Sequence, residues 1–240
     1  MNHPHSVLIS DLHLSEGHPE TTTLFFKFLE EKAQTADTLY ILGDFFEFWI
    51  GDDDLSDYHL SIIHALAALN RSGVKVFIMH GNRDFILGKK FAALAGANLL
   101  KDPSVVDFYG HRVLLTHGDQ LCTDDIRYQR YRRVANLKWV QALFLLLPLA
   151  KRRALAKKIH DSNPHRKPGQ YRAAIADVTL PAVEKAFNTH GIKDIIHGHT
   201  HKMDIHHYPE NKRRFVMSDW HETGSYIEIN EQGIMMHSFP

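Results

Sequence analysis

Apolar residues fall in short blocks along the first hundred positions, and the blocks alternate in period. Val7–Ser10, Thr38–Leu42 and Val74–Met79 are apolar runs of strand length, which predicts buried strands. Between them the spacing turns helical. Thr21–Gln34 sets Leu24, Phe25, Phe28 and Leu29 on one face. Tyr58–Asn70 does the same with Ile62, Ile63, Leu66 and Leu69, and Gly73 lies just past its end. Leu87–Ala95 predicts a short helix. The order β-α-β-α-β-α is that of a parallel sheet.

The pattern then changes. Val105–Phe108 and Arg112–Thr116 flank Tyr109-Gly110, which predicts a hairpin. The stretch 123–172 is helical, basic and intermittently apolar. Val178–Asn188 predicts a helix and Asp194–Ile196 a strand. Ile205–Tyr208, Phe215–Ser218, Ser225–Ile229 and Ile234–Ser238 read as closing strands separated by turn residues. No internal repeat or low-complexity linker interrupts the chain. These elements predict one α/β domain over residues 1–240 with a helical insertion at about 123–172.

The ends of the predicted strands carry one class of chemistry. Asp11-Leu12-His13 follows the first, Gly43-Asp44 the second and Gly81-Asn82-Arg83-Asp84 the third. His117-Gly118-Asp119 follows the hairpin, and His197-Gly198-His199-Thr200-His201 the strand at 194–196. Open α/β sheets bind ligands at the carboxyl ends of their strands. Side chains two apart along extended chain share a side, so Asp11 can converge with His13, and His197 with His199. Glycines at 43, 81 and 198 permit close backbone approach. A carboxylate, imidazole and amide set suits hard or borderline divalent cations. One such fragment is an ordinary turn; five, each directly after a strand, point to a metal site.

Composition adds two facts. A single cysteine, Cys122, excludes an intrachain disulfide and a cysteine zinc site, and fits a reducing compartment. The zero net charge hides an asymmetry: residues 127–172 hold 13 Lys and Arg against one acidic residue, Asp161. An anionic partner is implied for that stretch. The N-terminus lacks the basic-then-apolar pattern of a secretion leader. The apolar run 140–150 is too short to span a bilayer, which takes about 20 residues.

Together the five blocks resemble the signature of the calcineurin-like metallophosphoesterases, in order, from residue 11 to residue 201. The resemblance implies a four-layer α/β/β/α sandwich and two divalent metals. It assigns Asp11, His13, Asp44 and His199 to one metal, with Asp44 bridging, and Asn82, His117 and His197 to the other. His201 falls outside that set, as a supporting or surface residue. Most of that superfamily has His where this chain has Arg83. With Gly51-Asp52-Asp53-Asp54, His80-Gly81-Asn82-Arg83-Asp84-Phe85 and the block from His117 to Asp125, Arg83 makes the chain closely similar to the lipid A branch of the superfamily. That branch implies manganese and cleavage of UDP-2,3-diacylglucosamine to UMP and 2,3-diacylglucosamine 1-phosphate, on the cytoplasmic side of the inner membrane. Arg83 supplies a permanent charge and a fork for phosphate oxygens. The implied substrate contacts are Asn82, Arg83, Asp125, His197 and, in a loosely matching segment, Asn163, Lys167 and Gln170.

The insert reads as a lid whose apolar segment, with Trp139 and Phe144, receives acyl chains while its cationic flanks meet anionic lipid. The other reading is a helical hairpin packing Leu143, Leu146 and Leu147 on the core. Its apolar centre argues against nucleic acid, since phosphate contacts need no such surface. Asp52–Asp54 read as a surface loop. Two other functions fit the same fold, a soluble nucleotide pyrophosphatase or phosphodiesterase and a non-catalytic scaffold; filled ligand positions speak against the scaffold.

Overall fold

A computed structural model describes residues 3–161 and 177–240. Two sheets stack face to face. The first has six strands in the order β11-β10-β1-β2-β3-β4. Its parallel part is β1 (His5–Ile9), β2 (Thr38–Leu42), β3 (Lys75–Met79) and β4 (Ala97–Leu100). β10 (Gly224–Asn230) and β11 (Gly233–Phe239) continue it antiparallel. The second sheet runs β5-β6-β7-β9-β8: β5 (Ser104–Phe108), β6 (His111–Leu115), β7 (Asp194–His197), β8 (Asp204–Tyr208) and β9 (Lys212–Val216).

The apolar runs are continuous because both faces of the first sheet are covered. Val7, Ile9, Leu39, Ile41, Val76 and Ile78 face α1 (Pro19–Glu31), α2 (Asp57–Arg71) and α3 (Lys89–Ala95). Their neighbours Leu8, Tyr40, Leu42 and Met79 meet Val113, Leu115, Ile196 and Phe215 of the second sheet. On its far side, Leu114 and Ile195 take Val183 and Phe187 of α7 (Leu180–His190). This is the expected α/β/β/α sandwich.

The hairpin forms as expected. Phe108 pairs with His111, and Tyr109 and Gly110 both hold positive φ, 53° and 92°. A two-residue type I′ turn requires that at both central positions. The stretch between β6 and β7 contributes α4 (Ile126–Ala135), α5 (Lys138–Leu145) and α6 (Leu149–Asp161). Only Gln141 of α5 is buried, bonding the Ala135 carbonyl at 3.1 Å. Leu143 and Leu146 are 56% and 80% exposed, so they do not pack on the core as a plain hairpin would; Phe144 does.

Candidate metal centre

The loops after β1, β2, β3, β6 and β7 converge at one end of the sandwich, as the strand-end pattern implies. Backbone bonds tie them together: Asp11 N to Gly43 O (3.1 Å), His13 N to Asp44 O (3.0 Å) and Gly198 N to His117 O (3.0 Å). The fit is close. A Cβ on Gly198 would sit 1.8 Å from Asp11 Oδ2, and one on Gly81 2.2 Å from Asp44 Oδ1. Asp84, fully buried, accepts from Gly81 N at 2.7 Å and Phe45 N at 2.8 Å, locking the second loop to the third.

Two ligand groups share this basin. Asp11, His13 and His201 bring one ligand atom each within 4.8 Å of the others. In the second group, Asn82 Oδ1 faces His117 Nε2 at 3.0 Å and His199 Nδ1 at 2.9 Å. His117 Nδ1 donates to the Leu42 carbonyl at 3.0 Å, which turns Nε2 toward the basin. Asp44 lies between: Oδ1 is 3.7 Å from His117 Nε2, and Oδ2 is 4.0 Å from His13 Nδ1.

The geometry departs from expectation along residues 197–201. His201, not His199, joins Asp11 and His13; it sits 3.2 Å from Asp11 Oδ1 and, through Nδ1, 3.2 Å from Asp219. His199, not His197, joins Asn82 and His117. His197 is fully buried, with Nδ1 on the Gly198 carbonyl at 2.8 Å and Nε2 on the Arg214 guanidinium at 2.9 Å. Both ring nitrogens are engaged, so neither the metal role nor the substrate role expected of His197 fits. The physical reason is that β7 continues through His197, so the basin opens only beyond Gly198. Three imidazoles two apart share a side, and that alternation alone cannot choose which pair enters.

The donor set suits divalent cations. Asp11, His13, Asp44, His199 and His201 all hold positive φ, from 50° to 64°. Such angles are uncommon for non-glycine residues and collect at functional sites. His13 Nδ1 is buried without a hydrogen-bond partner. Burial opposes charge on His117, yet Asp44 and Asp11 outweigh it and hold its pKa up at about 9. His201 is held up at about 10, with Asp11 overcoming the same penalty. Burial, then Arg83, pushes His13 down to about 3; burial, then His117, does the same to His199. Burial raises Asp44 to about 7. Carboxylates thus set the field of the basin, which favours positive charge there.

Around the ligands stand Arg83 and Asp125, which the sequence singled out, and Glu47, Tyr128, Arg132 and Asp219, which it did not. Arg83 donates to Glu47 at 2.5 Å, with Nε 3.5 Å from Asp44. Tyr128, in the first turn of α4, stacks over His199 and donates to Asp119 at 2.5 Å; Arg132 Nε donates to the same oxygen at 2.7 Å. Asp125 caps α4, accepting from Tyr128 N at 2.9 Å. Asp219 was findable, since it too closely follows a strand. Asn163, Lys167 and Gln170 lie outside the described residues. A cavity of about 310 Å³ between the ligand loops and α4 is lined by Asn82, Asp119, Tyr128, Tyr131, Arg132 and Lys138. A larger groove, about 500 Å³, lies beside His5 and Glu228, away from these loops; convergent polar groups, not size, mark the site.

The fold, five converging loops and paired ligand groups define a metallophosphoesterase. The calcineurin-like phosphoesterase family matches residues 5–203, and the chain belongs to it. Two curated relatives carry the name UDP-2,3-diacylglucosamine hydrolase. That of Pseudomonas fluorescens is 48% identical over 97% of this chain and 94% of its own length. That of Aeromonas salmonicida is 46% identical over 98% and 94%. Among solved structures, an archaeal phosphodiesterase superposes with a TM-score of 0.52, covering 98% of this chain and 99% of its own. At 12% identity it speaks to the fold alone.

Proposed function

We propose that this chain, one catalytic domain with a helical insert, hydrolyses the diphosphate of UDP-2,3-diacylglucosamine to UMP and 2,3-diacylglucosamine 1-phosphate. Asp11, His13, Asp44 and His201 hold one divalent cation; Asp44, Asn82, His117 and His199 hold the other, manganese being the metal the family resemblance implies. Bound there, two cations supply charge for the attacking and leaving oxygens and a water that ionises near neutral pH. The protein does the rest. Asp44 fixes the spacing of the two groups with its separate oxygens. Ser10 donates to Asp11 Oδ2 at 2.6 Å and holds that carboxylate in register.

Water oxygen bonds to the nucleoside-side phosphorus as the bond to the bridging oxygen breaks. The sugar phosphate departs with that oxygen, and the water's proton passes to solvent. Arg83 exchanges Glu47 for the substrate's phosphate oxygens, which its planar fork matches. A sugar phosphate is already a good leaving group, so the absence of the superfamily's usual His costs little. Asp125 contacts the sugar from the start of α4.

The observation that carries the reading is that α4 presses Tyr128 onto the ligand groups while α5, the next helix, turns Trp139 (63% exposed), Leu143 and Leu146 outward. A diacylated substrate needs an apolar wall beside a phosphate site; a soluble nucleotide does not. The cationic insert also fits peripheral association with the cytoplasmic face of the inner membrane. The test is incubation of the purified protein with manganese and UDP-2,3-diacylglucosamine. UMP and the lipid monophosphate should appear together by mass spectrometry. Equal turnover of water-soluble UDP-N-acetylglucosamine would support the nucleotide pyrophosphatase reading instead.

A further inference from the structure

The run Gly51-Asp52-Asp53-Asp54 reads from sequence as a surface loop, but each carboxylate is committed. Asp52 faces the body. Its Oδ1 accepts from the Trp49 indole and from Gly88 N, both at 2.9 Å; its Oδ2 accepts from Lys90 N at 3.0 Å and Phe91 N at 3.1 Å. Asp53 and Asp54 face the insert instead. Asp53 takes Arg152 in a two-pronged pair, one prong at 2.8 Å, and Asp54 takes Arg153.

Arg152 is not a surface cation. Its side chain is 3% exposed, and it also donates to the carbonyls of Ile50 (2.6 Å) and Leu147 (2.9 Å). Gly51, at φ 136°, makes room for it: a Cβ there would lie 2.4 Å from Arg152 Nη1 and 2.9 Å from Leu145. The insert supplies no carboxylate of its own over 126–158, where ten Lys and Arg stand without one Asp or Glu. Carboxylate anchors must therefore come from the body. Arg132 finds one beside the metal ligands, in Asp119 and Asp102. Arg152 finds the other in Asp53. The outward apolar positions of α5 lie in sequence between the two anchors.

We propose that the Gly51–Asp54 loop is a two-sided anchor, and that the Asp53–Arg152 pair fixes the insert so that it selects a diacylated substrate over a small phosphodiester. The proposal deepens the hydrolase reading and rests on it. Asp52 ties the loop to α3 and to Trp49, which lies five residues after the bridging Asp44. Asp53 ties the same loop to α6. Arg152 is the buried member, Asp53 itself being 59% exposed; removing Asp53 leaves a buried guanidinium with no carboxylate, so the insert must shift. In the Asp54–Arg153 pair it is the cation that is exposed, at 60%, so no buried guanidinium depends on Asp54 and the pair adds little by comparison.

The experiment uses the full chain and the variants Asp53→Asn, Arg152→Met and, for comparison, Asp54→Asn. Turnover is measured on UDP-2,3-diacylglucosamine and on bis(4-nitrophenyl) phosphate, with hydrogen exchange followed in parallel. Asp53→Asn and Arg152→Met should each lower kcat/KM for the diacylated substrate at least about tenfold. The small phosphodiester should stay within about twofold, because its chemistry needs only the ligand loops. Exchange should rise over 126–158 and stay unchanged over 5–45 and 75–120. Asp54→Asn should resemble wild type. Equal losses on both substrates would make the pair a general stabiliser and overturn the proposal. So would raised exchange in the insert with undiminished lipid turnover. Exchange needs no substrate, so unchanged exchange in both variants overturns the anchor even if wild type cleaves no diacylated lipid; that last result defeats the hydrolase reading separately.

Discussion

His197, His199 and His201 share a residue type and a spacing, yet they do different work. His199 and His201 hold left-handed backbone angles and turn into the basin, while His197 ends β7 with both nitrogens engaged. Holding such an angle costs about 1–3 kcal/mol per non-glycine residue, and the proposed ligand role gives a reason for that cost. The division is measurable. His201→Ala should lose one of the two proposed cations by elemental analysis, and turnover with it. His197→Gln, whose amide can still accept from Arg214, should keep both; loss of a cation there with retention in His201→Ala would reverse the assignment. The pKa values give a second check. His117 and His201 retain protons up to about 9 and 10 in the metal-free basin. Ligation needs neutral imidazole, so loading at pH 7 must expel those protons and affinity must rise with pH. Titrating manganese into metal-free protein in weak buffer should therefore release acid. No release would show that these imidazoles do not ligate.

At the scale of elements, legibility followed contrast. β2 has the sequence bounds Thr38–Leu42 unchanged, because a fully apolar run sits between polar neighbours. β4, Ala97–Leu100, went unseen: it is four residues long, lies at the sheet edge and is half exposed, so no apolar run announces it. The ligand loops were legible because each follows an apolar strand. The register within 197–201 was not, because it depends on where β7 stops. Asp53 and Arg152 were illegible for a different reason. They lie 99 residues apart, and neither carries a local signal that its charge is committed to the other. A basic residue in a basic helix reads as solvated, and only packing shows Arg152 to be buried.

That correction changes how the whole molecule should meet a membrane. No helix among the described residues is long and apolar enough to cross one. Among the described residues, the exposed cations of the insert are Arg127, Arg130, Arg133, Lys138, Lys151, Arg153, Lys157 and Lys158, with Arg153 paired to Asp54, whereas Arg132 and Arg152 are held by Asp119 and Asp53. Each exposed Lys or Arg near an anionic leaflet adds about 1 kcal/mol, screened over a Debye length of about 8 Å at physiological salt. Each outward Leu that enters the interface adds about 1.5–3 kcal/mol without that screening. Two separable contributions follow. Binding to vesicles containing phosphatidylglycerol should be strong at low salt and fall sharply, though not to zero, as salt rises. Reversing Lys151, Lys157 and Lys158 to Glu should remove the salt-sensitive part and leave bis(4-nitrophenyl) phosphate hydrolysis intact, since all seven proposed ligands lie outside the insert. Leu143→Asp with Leu146→Asp should remove the residue that survives high salt and weaken use of the diacylated substrate. Absence of vesicle binding even at low salt, together with normal lipid turnover in the double Asp variant, would reduce the insert to packing and detach it from both membrane and substrate.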